Sequence, residues 1–184
     1  MTFNDEAALL STVRPQGRLR AGAGPLPWLM RWGSKTPHEL RPAMCGALLS
    51  SPGSVVLGAL NGLFVAGLAH FAIGGTAFAI IMIAEAILLA IRLVSLKRVK
   101  SIHEAGGVPA IDTPITLSII WCSLQGALFF FAIRTGSTPL MVLAAAHCMG
   151  LVGPLCARNY AAPRLALLLV GLCVAPFVIG AAST

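Results

Sequence analysis

Five apolar runs follow one another along this chain, and each is long enough to cross a lipid bilayer as a helix. A transmembrane helix needs about 20 apolar residues, because the hydrocarbon core is about 30 Å thick and each residue adds about 1.5 Å. The chain has 184 residues, of which 57% are hydrophobic and 10% are charged, whereas soluble domains carry about 25% charged residues. We therefore predict an all-α, polytopic membrane helix bundle with spans at about Ala43–Ala69, Ala77–Leu96, Ile115–Ile133, Leu140–Cys156 and Leu165–Ala182.

The remaining residues divide the chain into two parts. Residues 1–42 contain no long apolar run and carry six of the 13 basic residues, so we predict a basic N-terminal tail before a membrane domain at 43–184. Within the tail, Trp28 and Trp32 lie one helical turn apart beside Arg31, a pattern typical of a short segment at the headgroup layer. A wholly disordered tail is the alternative. Between the second and third spans we expect a polar loop at 97–114.

The distribution of basic residues predicts an orientation. If the N-terminus is cytoplasmic, eleven Lys and Arg residues lie on the cytoplasmic side and only Arg134 lies on the other, with Arg92 inside the second span. This asymmetry is typical of a multi-pass protein of the bacterial inner membrane, and an odd number of spans leaves the C-terminus periplasmic. The net charge of +7 is thus explained by contact with membrane lipids. No block of like charges points to nucleic acid as a partner.

Four polar side chains lie within four different predicted spans. Glu85 is the only acidic residue inside a span, and a carboxylate at membrane depth is a functional candidate because its burial is costly. It can serve a structural hydrogen bond, the sensing of a signal or ligand, or the movement of protons or ions. Asn61, Gln125 and His147 lie in the first, third and fourth spans. These four either converge on a polar ligand pocket or act separately as hydrogen-bonding contacts between helices.

Gly58, Gly62 and Ala66 recur every four residues in the first span. Such a stripe of small residues allows another backbone to approach closely, either within the bundle or from another chain. Motifs that carry chemistry are missing: the five cysteines form no CxxC pair, and His147-Cys148 is without further metal-ligand spacing. We therefore expect no enzyme activity, no cofactor and no metal site.

The stretch LCARNYAAPR, residues 155–164, separates the last two spans. We predict a cytoplasmic hairpin turn in which Arg158 and Arg164 hold the positive side and Asn159 satisfies free backbone groups. Pro163 is expected to open the fifth helix, where its missing N–H costs nothing.

This turn, of the pattern ARN-aromatic-x-x-PR, resembles the membrane region of bacterial GGDEF-type diguanylate cyclases. The resemblance covers about residues 41–182 and includes Asn61-Gly62, Glu85, the pattern IRLVSLKR at 91–98 and the small residues of the fourth span. It implies a membrane sensor that passes a signal onward. The final span, the signalling helix and the cyclase domain of that family have no counterpart here, so none of its catalytic residues carries over.

We accordingly expect a non-catalytic inner-membrane protein that binds or transmits a signal through helix packing. One alternative is an accessory or assembly subunit of a larger inner-membrane complex, and a further one is a small transporter that uses Glu85. In each case the expected partners are other membrane-protein helices, in a homo-oligomer or a larger complex.

Overall fold

A computed structural model describes Leu29 and residues 52–105, 112–159 and 162–183. The predicted tail and its tryptophans lie outside these residues, apart from Leu29, as do residues 43–51 of the first predicted span. The three longer ranges form helices and contain no strand. The helices are α1 (Pro52–Ile73), α2 (Thr76–Glu104), α3 (Asp112–Arg134), α4 (Thr138–Asn159) and α5 (Pro163–Ala182).

The described helices are those of a multi-pass membrane protein. All five are long and apolar enough to cross a membrane, which agrees with the predicted all-α bundle. Large apolar side chains also cover the outside of the bundle: Phe71 is 86% exposed and Met149 is 76% exposed. A water-soluble surface rarely exposes such extensive apolar area, whereas lipid is a suitable solvent for it.

The helix ends differ from the predicted boundaries where polar residues continue a helix beyond its apolar run. α2 includes Lys97, Arg98 and Lys100 and continues to Glu104, so the predicted loop at 97–114 is wrong over residues 97–104. Lysine and arginine are good helix formers, and helical hydrogen bonds satisfy their backbone groups wherever the helix leaves the hydrocarbon. α3 begins at Asp112, whose carboxylate lies in the first turn, where the helix dipole favours negative charge.

Two glycines in the left-handed region end helices. Gly74 has φ of 74° and donates its N–H to His70 O, and the short connection Gly74-Gly75 leads directly into α2. Gly136 has φ of 68° and follows α3, with its N–H bonded to Ile133 O. Glycine adopts this conformation without the steric penalty that other residues incur. The two connections contain two and three residues, and because they are so short, the consecutive helices pack as antiparallel neighbours.

α3 is the central helix and the most buried of the five. It packs most extensively against α5 on one side, while α1, α2 and α4 contact it elsewhere. α1 and α2 form a second closely packed pair. The arrangement places α3 between an apolar partner, α5, and the helices that carry the polar side chains, α1, α2 and α4.

Candidate functional site

Glu85 lies at the centre of the polar site. It projects from α2 into the bundle and is 1% exposed. Its Oε1 accepts a hydrogen bond from the indole Nε1 of Trp121 at 2.6 Å, and its Oε2 accepts one from Nε2 of Gln125 at 3.0 Å. Trp121 and Gln125 are four residues apart and therefore share one face of α3. Both carboxylate oxygens thus receive donors, as a buried charged group requires.

Gln125 continues the hydrogen bonding to two further helices. Its Oε1 lies 2.9 Å from Nε2 of His147 on α4, and Nδ1 of His147 lies 2.6 Å from Nδ2 of Asn61 on α1. The edge of Phe129 packs against the imidazole ring, with centroids 5.3 Å apart. The structure therefore joins all four predicted polar residues, with Trp121, in one hydrogen-bond chain across α1 to α4. We call these five residues the Glu85 chain.

The Glu85 chain has a direction. An amide nitrogen only donates, so Asn61 Nδ2 donates to Nδ1 of His147, and neutral His147 then carries its proton on Nε2. That N–H donates to Gln125 Oε1, and the amide nitrogen of Gln125 donates to Glu85. Every donor therefore points toward Glu85, whose carboxylate accepts at both oxygens. The two ends differ in burial: Glu85 is enclosed, whereas Asn61 belongs to the exposed face of α1.

The small-residue stripe of α1 faces the interior of the bundle. A Cβ atom at Gly58 would lie 3.3 Å from the Trp121 ring, and one at Gly62 would lie 2.7 Å from Nε2 of Gln125. Ala66 is fully buried. The stripe therefore makes room for two long side chains of α3, rather than presenting itself to another chain.

Arg92 lies on the same face of α2 as Glu85, and Trp121 stands between them. The guanidinium carbon of Arg92 is 4.8 Å from the centroid of the Trp121 ring, a cation–π contact, while the indole N–H of that ring bonds Glu85. Arg92 is only 6% exposed. It therefore packs inside the bundle rather than extending to the headgroups.

The residues of the predicted hairpin turn take no part in the Glu85 chain. Arg158 and Asn159 belong to the last turn of α4, so the turn is shorter than predicted. Asn159 is buried, and its side-chain Nδ2 donates to Leu155 O within its own helix. Its backbone carbonyl accepts a hydrogen bond from the N–H of Ala162. α5 begins at Pro163, and Arg164 is exposed beside it. These contacts hold the connection between α4 and α5 together.

Two important residues were not predicted from the sequence, and only one of them, Trp121, belongs to the site. Trp121 carries the shortest bond to Glu85, and Gly126 brings α3 against α5. The spacing of Trp121 four residues before Gln125 pointed to a shared face, since an indole N–H inside a membrane needs an acceptor. Gly126 carried no such signal, because its role depends on which helix lies opposite. Among the described residues no group of three or more His, Cys, Asp or Glu side chains forms a metal site.

No family model, no curated protein and no solved structure matches this chain. The resemblance to membrane diguanylate cyclases therefore stays a prediction based on the turn and the hydropathy pattern.

Proposed function

We propose that this protein is a non-catalytic signalling domain of the membrane, of the kind that membrane diguanylate cyclases carry before their catalytic domain. The observation that supports this function is the directional Glu85 chain, which ties the buried carboxylate on α2 to the exposed face of α1. A signal needs an element with two arrangements that differ in the partners they favour. A chain of amide and imidazole groups provides two such arrangements, because each group can exchange its donor and acceptor ends.

The hydrogen bonds of the Glu85 chain can reverse their direction, and the reason is that the Trp121 indole only donates. When Glu85 loses its charge by gaining a proton, one of its oxygens becomes a donor, and the indole N–H still requires the other oxygen as acceptor. The new donor faces Gln125, whose amide must turn to present its oxygen. His147 then receives a hydrogen bond at Nε2 and carries its own proton on Nδ1, and Asn61 must present an oxygen. The state of a buried group is thereby transmitted to the bundle surface.

The Glu85→Gln variant tests this proposal, since a glutamine amide at position 85 must donate toward Gln125. We expect the ring proton of His147 to move from Nε2 to Nδ1, seen in the ¹⁵N chemical shifts of labelled histidine in the full chain in lipid nanodiscs. The matched control is Ser123→Ala, because the hydroxyl of Ser123 is exposed and bonds only Ile119 O of its own helix. The control should leave both ring nitrogens as in the wild type.

A second measurement separates signalling from fixed packing. Leu57→Cys on α1 and Met149→Cys on α4 introduce cysteines for spin labels at two exposed positions. Replacing Cys45 and the exposed Cys156 by serine prevents labelling elsewhere. A signalling bundle should show two α1–α4 distances in the wild type, with Glu85→Gln enriching one, and helix shifts of about 1–2 Å are typical. A single distance that is unchanged in Glu85→Gln would overturn the signalling function, even if the tautomer moved.

The exposure of Asn61 favours a second candidate function, an accessory subunit of a larger membrane complex. A polar side chain on the lipid-facing side of a helix is costly unless another helix covers it. Purification in mild detergent should then yield a second chain in stoichiometric amount, and Asn61→Leu should release it, whereas Leu60→Ala, a change at a neighbouring exposed position, should not. Recovery of this protein alone from native membranes would contradict the accessory role.

Transport through Glu85 is the remaining alternative from the sequence. It requires that proteoliposomes containing the protein show a proton or solute flux which Glu85→Gln abolishes. Flux that is absent from the wild type, or that persists in the variant, would exclude Glu85 as a transport group.

A further inference from the structure

A cleft opens between the helices at the end of the bundle where α1 and α3 begin and α2 and α4 end. The cleft is narrow, with about 10 Å³ of enclosed space, and it opens outward. Two arginines, Arg92 from α2 and Arg158 from α4, line it together with the hydroxyl-bearing residues Ser95 and Ser118. The Ser118 hydroxyl already donates to Pro114 O, so the donors that the cleft offers are the buried guanidinium of Arg92 and the Ser95 hydroxyl. Two positively charged side chains in one cleft make it attractive to an anion.

Arg92 carries the unexplained feature of this cleft. Its side chain is 94% buried, and its Nη1 atom is buried without a hydrogen-bond partner among the residues that the structure describes. Buried polar groups in folded proteins almost always have partners, and a charged one is especially costly to leave without. The ring of Trp121 compensates the charge on one side, but it offers no acceptor for the N–H groups of Nη1. An acceptor for this donor is therefore missing.

We infer that the cleft binds a phosphate group, either of an anionic lipid or of a small phosphate compound in solution. Guanidinium groups match the tetrahedral oxygens of phosphate with paired hydrogen bonds. Basic pockets between transmembrane helices are suited to phosphate-bearing headgroups. The surroundings agree in charge, because Lys97, Arg98 and Lys100 are exposed at the same end of α2. The inference is independent of the signalling function, although Trp121 belongs to both sites.

The test uses the full chain, purified and stripped of lipid in detergent, with two probes. Native mass spectrometry measures retention of phosphatidylglycerol, and thermal unfolding measures protection by inorganic phosphate relative to chloride at equal ionic strength. We expect one bound phosphate species per chain. Arg92→Gln should weaken binding about tenfold, as expected for the loss of a charge-assisted hydrogen bond. Arg98→Gln is the matched control, because Arg98 is an exposed arginine six residues after Arg92 on the same helix and does not line the cleft.

The outcomes separate the two sources and can overturn the site. Retained phosphatidylglycerol identifies a lipid headgroup, whereas protection by inorganic phosphate alone identifies a soluble ligand. If neither probe binds the wild type, or if Arg92→Gln and Arg98→Gln weaken binding equally, the inference fails. Arg92→Lys is a second variant that distinguishes loss of binding from misfolding. It keeps the positive charge but cannot form paired hydrogen bonds, so we expect binding intermediate between that of the wild type and that of Arg92→Gln.

Discussion

The two sides of α3 are packed by different means. Toward α5 the contact is apolar and very close: a Cβ atom at Gly126 would lie 2.1 Å from Leu172 O, and one at Gly180 would lie 3.4 Å from the backbone of Phe130. Toward α1, α2 and α4, the long side chains Trp121 and Gln125 fill the space and bond Glu85. The first side is held by contact between backbones, with one bond from the Cys173 thiol to Cys122 O at 3.6 Å, and the second by directional bonds between side chains.

This difference matters because lipid is as apolar as the helix surfaces, so burial of apolar area alone gives little drive for association in a membrane. The α3–α5 contact relies on dispersion between closely packed atoms and has no room for an added atom at Gly126. The Glu85 chain relies on hydrogen bonds whose donors and acceptors can be exchanged. The first interface is accordingly suited to a fixed packing and the second to a change of state.

Gly126→Ala is expected to have the largest effect, because the added methyl group meets a backbone oxygen that cannot rotate away. α5 must move as a whole, and we expect a loss of about 3 kcal/mol in the free energy of unfolding, the upper part of the range for overpacking. SDS titration in mixed micelles, followed by fluorescence, measures it. Gly171→Ala on α5 is the control, because nothing lies within 4 Å of its Cβ position. Equal stability of the two variants would show that the α3–α5 contact is not close.

Glu85→Ala comes second and tests the polar side. Removing the carboxylate leaves the Trp121 indole and the Gln125 amide without their acceptor in a buried position. Unpaired groups of this kind cost about 1–3 kcal/mol each, but membrane proteins often find alternative partners, so we expect a total loss of about 2 kcal/mol. Ser123→Ala on α3 should change the same SDS midpoint little. A stable Glu85→Ala variant would mean that the Glu85 chain contributes no net stability.

The two sides of α3 also differ in how much of their packing the sequence could predict. Hydropathy predicted the five spans because the bilayer imposes a length rule that acts along the chain. It also selected Glu85, Gln125, His147 and Asn61, since polar residues inside spans are rare. Hydropathy did not predict the extension of α2 to Glu104, because basic residues continue a helix beyond the hydrocarbon. Nor did it predict the role of Gly126, because a close contact depends on which helix lies opposite, and hydropathy contains no such information.

Gly62→Ala should have a smaller effect that joins the two kinds of packing. The added Cβ would lie 2.7 Å from Nε2 of Gln125, which is the far end of a flexible side chain. Gln125 can move, but it then lengthens its bond to Glu85 or to His147, and we expect a loss of about 1 kcal/mol. Gly67→Ala on the same helix is the control, since its nearest atom is Met82 Sδ at 3.9 Å. A loss as large as that of Gly126→Ala would mean that Gln125 is held as rigidly as backbone.

Asn61→Ala is expected to have the smallest effect, because Asn61 is the exposed end of the Glu85 chain. It removes the donor to Nδ1 of His147 while the bonds between His147, Gln125 and Glu85 remain. The average interhelical hydrogen bond in a membrane protein contributes about 0.6 kcal/mol, and a loss of that size is expected in the same SDS titration. Leu60→Ala, at a neighbouring exposed position on α1, controls for lost contact with lipid. If Asn61→Ala costs as much as Glu85→Ala, the chain is stabilised as a unit and a change at either end must disturb the whole of it.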